Sequence, residues 1–350
     1  MSTLKAVIGV LLTGAVLASM AGASAKPMMG PPPSADMKSV LDQLKALGAK
    51  PVEQLTPAQA RAQPTPVDAV KKVLISQHKP TTPPADVTTQ DVTYPAARGP
   101  QPARIYTRVA KTTAKARPLI VYYHGGGWVI ADINTYDGGA RGIARQTGAV
   151  VVSCEYRHAP EAKFPAAHDD AVACYKWATA NARNWGASGK VAIAGESAGG
   201  NLAIDTGIAA RDQRLVKPSA LLLVYPIAGS DMTTASYSDS ANAAPLSKAG
   251  MMWFVKHVFA TPSQAKDARI DVYRSANLRG LPPTVIINAA ADPLRSDGEL
   301  LAAALSRAGV ATVRKVYPGT THEFFGMDAV VSSAKQAQVF AGSELNKHLR

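Results

Sequence analysis

The sequence predicts an α/β fold in which a mostly parallel sheet of eight strands is covered by helices on both faces. Two observations lead to this prediction. From Asp86 onward, short apolar segments alternate with longer segments whose apolar residues recur at helical spacing. Some of the apolar segments, such as residues 119–123 and 150–154, are almost continuously hydrophobic, which is typical of strands buried on both faces of a parallel sheet.

The predicted strands and helices follow one another in a regular order. The strands comprise residues 87–94, 103–109, 119–123, 150–154, 190–194, 220–225, 284–289 and 312–317. The helices comprise residues 36–47, 67–77, 166–182, 201–212, 297–308 and 333–349. Ser34 is a cap for the first helix and Gly48 ends it. A Gly-Pro turn joins the first two strands, and Gly309 ends the helix before the last strand.

Two segments interrupt this order. Fifteen of the 25 prolines lie between Lys26 and Pro118, and residues 26–85 contain helices that have no core of their own. Residues 228–275 place polar turns and an amphipathic stretch between two strands. We therefore expect residues 26–85 to form a linker and N-terminal cap helices. We expect residues 86–350 to form the main α/β domain, with 228–275 as a cap insertion and candidate lid.

The first residues have the pattern of a secretory signal peptide. Lys5 precedes an apolar run over residues 6–20, and the small residues Ala23-Ser24-Ala25 follow it. Cleavage before Lys26 removes residues 1–25 and implies export to a periplasm or to the medium. The run is shorter than the roughly 20 residues that span a bilayer, and an uncleaved anchor is the alternative interpretation.

The formal charge of +13 raises the question of nucleic-acid binding. Such binding requires Lys and Arg concentrated on one face or in runs. Here the longest basic runs are pairs, Lys71-Lys72 and Arg314-Lys315, and the other basic residues are scattered. We interpret the charge as a solvated basic surface, and we expect no nucleic-acid partner and a monomer or homodimer.

Residues 195–199, Gly-Glu-Ser-Ala-Gly, lie between a predicted strand and a predicted helix. A serine at the tip of such a turn has a strained backbone, and its neighbours two residues away must be very small. The turn raises the hydroxyl of Ser197 above the sheet at the start of the helix. This pattern predicts a nucleophile, whereas a simple tight turn is the structural alternative.

A nucleophilic serine needs a histidine base and an acid that orients the base. Of the two histidines placed late enough in the chain, His322 directly follows a predicted strand, whereas His348 lies in a polar helix end. Asp292 follows the strand 284–289 and is the preferred acid. Asp297 lies one turn later, where helix capping explains it, and is the second choice.

An oxyanion needs backbone N–H donors, and residues 124–128, His-Gly-Gly-Gly-Trp, follow the strand 119–123. Their glycines let the backbone approach a substrate, and the amide of Ala198 beside the nucleophile offers another donor. A flexible turn and a phosphate loop are the alternatives. The nucleotide-binding patterns G-x-x-x-x-G-K-[ST] and G-x-G-x-x-G do not occur in the sequence, and we expect no cofactor.

These motifs together resemble those of the bacterial hormone-sensitive-lipase-like esterases of the α/β-hydrolase superfamily. The resemblance covers nearly all of the chain after the signal peptide and rests on residues 124–128, 155–167, 195–200, 292–295 and 322–324. It implies an α/β-hydrolase fold with a helical cap, an oxyanion hole formed by the amides of Gly126, Gly127 and Ala198, and a structural role for His124. Glu196 departs from the family, which often has Asp there, and Ser296-Asp297-Gly298 replaces the commoner Asp-Glu-Gly.

Aromatic and methionine side chains are candidates for the substrate pocket. From this set we predict that Trp128, Trp253 and Phe324 line the pocket. Core packing explains such residues equally well. The full set is Trp128, Met251, Met252, Trp253, Phe254, Phe324 and Phe325. Cys154 and Cys174 either form a disulfide, as an exported pair can, or pack as separate buried thiols. His158 and His168 are interpreted as structural, and no metal is expected.

The sequence therefore predicts a serine carboxylesterase that hydrolyses short- to medium-chain esters through Ser197, His322, Asp292 and an acyl-enzyme. A non-catalytic small-molecule binding protein on the same fold is one alternative. An acyltransferase or a lyase that uses the same triad is another.

Overall fold

The computed structural model describes residues 32–109 and 117–350. The predicted signal peptide, residues 1–25, and the first residues of the predicted linker lie outside these ranges. In the part of the chain that the model describes, no helix has the length and apolar character needed to cross a membrane.

A single sheet of eight strands organises the molecule. The strands are β1 (Val87–Ala96), β2 (Gly99–Arg108), β3 (Arg117–Tyr123), β4 (Val150–Cys154), β5 (Ala187–Glu196), β6 (Ala220–Val224), β7 (Thr284–Ala291) and β8 (Thr312–Thr321). Their order across the sheet is β1-β2-β4-β3-β5-β6-β7-β8. Strand β2 is antiparallel to both β1 and β4, and all other neighbours are parallel, which confirms the predicted mostly parallel sheet.

The central strands are hydrophobic because both of their faces are covered. Every residue of β4, β6 and β7 is buried. The edge strand β8 instead alternates between more and less exposed residues over its first half. Because β3 and β5 to β8 are parallel, their carboxyl ends lie at one edge of the sheet, where ligands bind in α/β proteins.

Helices cover both faces of the sheet, as expected. They are α1 (Ala35–Ala46), α2 (Pro57–Ala62), α3 (Pro66–Ser76), α4 (Asp137–Thr147), α5 (Ala166–Asn181), α6 (Ala198–Asp212), α7 (Ala235–Asp239), α8 (Lys248–Val258), α9 (Val272–Ser275), α10 (Arg295–Arg307) and α11 (Ser332–Leu349). The six predicted helices are present with boundaries shifted by up to three residues. The helices α2, α4, α7 and α9 were not predicted, and α8 covers most of the amphipathic stretch expected in the insertion.

Helix α4 was not predicted because its first turns contain Gly138, Gly139 and Gly142, and glycine disfavours helix formation. Close contacts require glycine at two of these positions. A Cβ on Gly138 would collide with the carbonyl oxygen of Gly326, and one on Gly142 would collide with the side chain of Gln338. The helix is therefore stabilised by close packing rather than by its own propensity.

The N-terminal helices pack on the main domain and on the insertion, as expected for a segment without its own core. Met37 of α1 and Val73 of α3 belong to the hydrophobic cluster on one face of the sheet. On the other side, Trp253 Nε1 of α8 donates a hydrogen bond to the carbonyl oxygen of Leu55 at 2.9 Å. The N-terminal segment and the 228–275 insertion are thus in direct contact.

A disulfide joins Cys154, at the end of β4, to Cys174 within α5. Both residues are fully buried, and their sulfurs are bonded across a separation of 20 residues. Of the two alternatives left open by the sequence, the structure contains the disulfide.

Removing this disulfide should destabilise the protein. The double substitution Cys154→Ala and Cys174→Ala should lower the free energy of unfolding by about 2–4 kcal/mol, because the unfolded chain regains loop entropy. Urea unfolding followed by circular dichroism measures this difference. Wild-type protein unfolded in the presence of a reductant is the control and should resemble the variant. Equal stability of variant and wild type in the absence of reductant would contradict the prediction.

Candidate active site

Ser197 occupies a sharp turn between β5 and α6. Its backbone has φ 56° and ψ −119°, a conformation that is strained for a residue other than glycine. A Cβ on Gly195 would collide with the backbone of Gly199, and a Cβ on Gly199 would collide with the carbonyl oxygen of Tyr123. These two glycines are therefore required by close backbone contact, and the turn places Ser197 directly before the first residue of α6.

His322 and Asp292 lie beside Ser197 at the carboxyl edge of the sheet. His322 Nε2 is 2.9 Å from Ser197 Oγ, and His322 Nδ1 is 2.8 Å from Asp292 Oδ2. The second carboxylate oxygen of Asp292 accepts the N–H of Leu294 at 2.9 Å. All three side chains of the triad are buried. The three residues selected from the sequence therefore form one hydrogen-bonded chain.

The second-choice acid, Asp297, and the other late histidine, His348, are not part of this hydrogen-bonded chain. Asp297 accepts the N–H groups of Ala228 and Gly229 at 3.0 and 3.1 Å, so it supports the start of the 228–275 insertion. Burial raises the pKa of Asp297 to about 7. His348 is in the last turn of α11.

Gly126 and Gly127 line the same cavity as Ser197, and Ala198 directly follows Ser197 in the chain. Gly126 has φ 94° and Gly127 has φ 58°, and a Cβ on Gly127 would collide with the ring of Phe254. Among the described residues, none of the three N–H groups has a hydrogen-bond acceptor. The donors of Gly126, Gly127 and Ala198 are thus available for a ligand.

A buried ion pair supports the loop that carries these glycines. His124 Nδ1 is 2.8 Å from the carbonyl oxygen of Gly125, and His124 Nε2 is 2.8 Å from Glu155 Oε1. Burial opposes the charged form of His124, but Glu155 raises the pKa of the imidazole overall. Tyr156 donates its hydroxyl to the carbonyl oxygens of His124 and Gly125 at 2.9 and 3.0 Å. The chain just before Gly126 is therefore fixed on two sides.

Among the described residues, one group has ligand atoms that lie close enough together to hold a metal ion. It consists of His124, Glu155 and His158. His158 Nε2 is 3.2 Å from Glu155 Oε1. Since both ring nitrogens of His124 already have partners within the protein, we interpret the group as the ion pair that supports the loop.

Two further carboxyl groups lie near His322, and sequence analysis gave neither of them a role. Glu196 accepts the hydroxyls of Tyr122 and Tyr225, and burial raises its pKa to about 7. Glu323 accepts the hydroxyl of Tyr136 at 2.6 Å, and burial raises its pKa as well. Glu323 is adjacent to His322 in the sequence, but a single sequence does not show that its side chain turns toward the same site.

A cavity of about 1140 Å³ opens above Ser197. Its walls include parts of α1 to α3, the Gly126–Gly127 loop, and residues 242–247 of the insertion together with Met251 and Phe254 of α8. The triad residues Ser197 and His322 lie at its base.

The three selected pocket residues do not line this cavity, so that prediction was wrong. Trp253 uses its indole N–H to bind the carbonyl oxygen of Leu55. The ring of Trp128 lies 5.8 Å from that of His168, and the ring of Phe324 lies 5.9 Å from that of Tyr225. All three are packed in the core, the alternative that the sequence also allowed, and the neighbouring Phe254 faces the cavity instead.

The geometry allows His322 to accept a proton from Ser197. Burial disfavours the charged imidazole, yet the Asp292 carboxylate raises the pKa of His322 overall, with Glu323 and Glu196 acting in the same direction. A neutral His322 is therefore present mainly above this raised pKa, and the base is lost by protonation as the pH falls through it.

Comparison with known proteins identifies a matching family and similar enzymes. The sequence model of a family described as having the alpha/beta hydrolase fold matches residues 120–326. The carboxylesterase NlhH of Mycobacterium tuberculosis is 36% identical over 225 residues, covering 63% of this chain and 70% of that protein. The ethyl acetate hydrolase of Pseudomonas putida is 29% identical over 250 residues, covering 71% of this chain and 79% of that protein.

Solved structures agree with the sequence comparison. A hyperthermophilic esterase from Pyrobaculum calidifontis superposes with a TM-score of 0.79 at 33% identity, covering 90% of this chain and 98% of the other. A thermostable esterase from Pseudomonas putida has a TM-score of 0.79 at 28% identity and covers 92% and 98%, respectively.

Asp292 should control the titration of His322. In Asp292→Asn the pKa of His322 should fall relative to wild type, since burial is then no longer opposed by the carboxylate that raises this pKa most. NMR titration of the imidazole protons measures both values. The His322→Gln variant assigns the resonance by its disappearance. An unchanged or higher pKa in Asp292→Asn would show that another group sets the charge of the base.

Proposed function

The chain belongs to the hormone-sensitive-lipase-like esterases of the α/β-hydrolase superfamily, and on this premise we propose that Ser197, His322 and Asp292 carry out its reaction. The protein is a carboxylic ester hydrolase. The observation that carries the proposal is the hydrogen-bonded chain from Ser197 Oγ through His322 to Asp292.

Ser197 Oγ attacks the acyl carbon of the ester while His322 Nε2 takes its proton. The N–H groups of Gly126, Gly127 and Ala198 bind the oxyanion that forms, and each such donor typically contributes about 100- to 1000-fold to turnover. The protonated His322 then donates to the leaving alkoxide, which departs as an alcohol. Water next attacks the acyl carbon while one of its protons moves to His322. The bond from Ser197 Oγ to the acyl carbon then breaks, His322 returns the proton to Ser197 Oγ, and the carboxylic acid leaves.

We propose that short- to medium-chain esters are the substrates. The cavity volume of about 1140 Å³ is slightly above the roughly 300–1,000 Å³ of ordinary small-ligand pockets, so it has room for a small ester and its acyl chain. Residues 26–85 and 228–275 act as a two-part cap in this proposal. The assignment of this cap is supported by side chains of both segments that line the same cavity as Ser197, namely Leu41, Leu44, Leu246 and Met251.

We also propose that the enzyme is exported. The support is the signal-like pattern of residues 1–25 and the disulfide between Cys154 and Cys174, a bond that persists in oxidising compartments. Cell fractionation and N-terminal sequencing of the mature protein should give a chain that begins at Lys26. A cytosolic protein that retains Met1 would contradict export, and a membrane-bound chain that retains residues 1–25 would support the uncleaved anchor instead.

Ser197→Ala should remove ester hydrolysis. The expected loss in kcat with p-nitrophenyl butyrate is about 10⁴-fold or more, because the nucleophile cannot be replaced by the remaining residues. The exposed Ser343 in α11 provides the matched control, and Ser343→Ala should keep wild-type turnover. Activity should decline from butyrate and hexanoate to palmitate esters.

Each alternative function has its own outcome in this assay. A wild-type protein that binds esters without hydrolysing them would support a binding protein and contradict the proposal. Product that appears only when an alcohol or amine acceptor is added would support an acyltransferase. Turnover that survives in Ser197→Ala would contradict the assigned nucleophile.

A further inference from the structure

Glu323 has an unusual backbone conformation beside the catalytic histidine. Its φ is 71°, in the left-handed region that residues other than glycine rarely adopt, and such strain clusters at functional sites. The side chain is only 19% exposed and lines the same cavity as Ser197 and His322. A carboxyl group is thus held in place at the base of the substrate cavity.

The position of this carboxyl group relative to His322 is well defined. Glu323 Oε1 lies 3.9 Å from His322 Nε2, the nitrogen that is also 2.9 Å from Ser197 Oγ. The hydroxyl of Tyr136 donates to Glu323 Oε1 at 2.6 Å and fixes its direction. A gap of 3.9 Å is too long for a direct hydrogen bond, but one water molecule bridges such a gap with two ordinary hydrogen bonds.

We propose that Glu323 is a further catalytic residue, which holds the water that hydrolyses the acyl-enzyme and thereby favours water over alcohols as the acyl acceptor. This inference rests on the proposed function, because it concerns the second half of that reaction. It assigns to Glu323 a contact with the reacting water that the Ser-His-Asp chain does not supply.

The selectivity follows from the number of O–H bonds in each acceptor. Water has two, so one can point to His322 Nε2 and the other to Glu323 Oε1 while the oxygen faces the acyl carbon. An alcohol has a single O–H bond, which must go to His322, and its carbon substituent would face the Glu323 carboxylate. Glu323 can therefore accept a hydrogen bond from an attacking water molecule but not from an attacking alcohol.

The bonds of the step balance without any additional reactant. The water oxygen forms a bond to the acyl carbon, and one of its protons moves to His322 Nε2. The second O–H bond of the water stays intact and donates a hydrogen bond to Glu323 Oε1. The bond from Ser197 Oγ to the acyl carbon then breaks, and His322 returns the proton to Ser197 Oγ. The products are a carboxylic acid and the free enzyme, and Glu323 is unchanged.

Partitioning of the acyl-enzyme between water and an added alcohol tests the proposal. Wild-type enzyme and Glu323→Gly are incubated with p-nitrophenyl butyrate and increasing methanol, and butyric acid and methyl butyrate are quantified. Glycine suits the φ of 71°, so this variant should fold. The ratio of transfer to hydrolysis should rise about tenfold, the size of effect expected when one hydrogen bond to the attacking water is lost.

Two companion variants separate catalysis from a structural effect. Glu323→Gln keeps the side-chain shape and one acceptor oxygen, so its ratio should lie between those of wild type and Glu323→Gly. Tyr136→Phe keeps the carboxyl group but removes the hydrogen bond that fixes it, and it should shift the ratio in the same direction by a smaller factor. In stopped-flow experiments, Glu323→Gly should slow deacylation about tenfold and acylation by less.

Mass spectrometry of the quenched enzyme distinguishes failure of this inference from failure of the proposed function. If Ser197 carries the acyl group but the partition ratio is the same in wild type and Glu323→Gly, the role of Glu323 is refuted and the proposed function stands. Equal slowing of acylation and deacylation with an unchanged ratio would refute it too. If no acyl group is found on Ser197, the proposed function fails and this inference fails with it.

Discussion

The site depends on how closely three backbone segments approach one another at the end of β5. The chain must turn sharply at Ser197, and the turn leaves no room for a side chain on Gly195 or Gly199. Because the collisions would be with backbone atoms of Gly199 and Tyr123, no side-chain rearrangement can relieve them. Close contact between β5, the end of β3 and the start of α6 thus holds Ser197 in a conformation that an isolated turn would not keep.

Buried polar groups then set the charge around His322. Asp292 holds Nδ1 directly, whereas Glu196 and Glu323 each accept tyrosine hydroxyls. Burial raises the pKa of both glutamates, so each is more easily protonated than a surface carboxyl group. The ion pair of His124 and Glu155 supports the loop of Gly126 and Gly127, and the ring of His124 lies 5.9 Å from that of Tyr136, which binds Glu323.

The sequence was sufficient to predict the sheet and the assembly of the triad, for a physical reason. Continuous apolar strands must be buried, parallel strands end at one edge, and Ser197, Asp292 and His322 each directly follow such a strand. It was insufficient for α4, whose glycines are required by distant residues such as Gly326 and Gln338. It was also insufficient for the cavity walls, since Trp253 and Phe254 are adjacent in α8 and only the folded structure distinguishes Phe254, which lines the cavity, from Trp253, which does not.

The proposed reaction requires that the hydroxyl of Ser197 be the activated nucleophile. Labelling with a small phosphonate ester, followed by peptide mass mapping, tests this role. We expect one phosphonyl group per chain, attached to Ser197, and much slower labelling in His322→Gln. Labelling of another residue, or labelling of Ser197 at the same rate without His322, would contradict it.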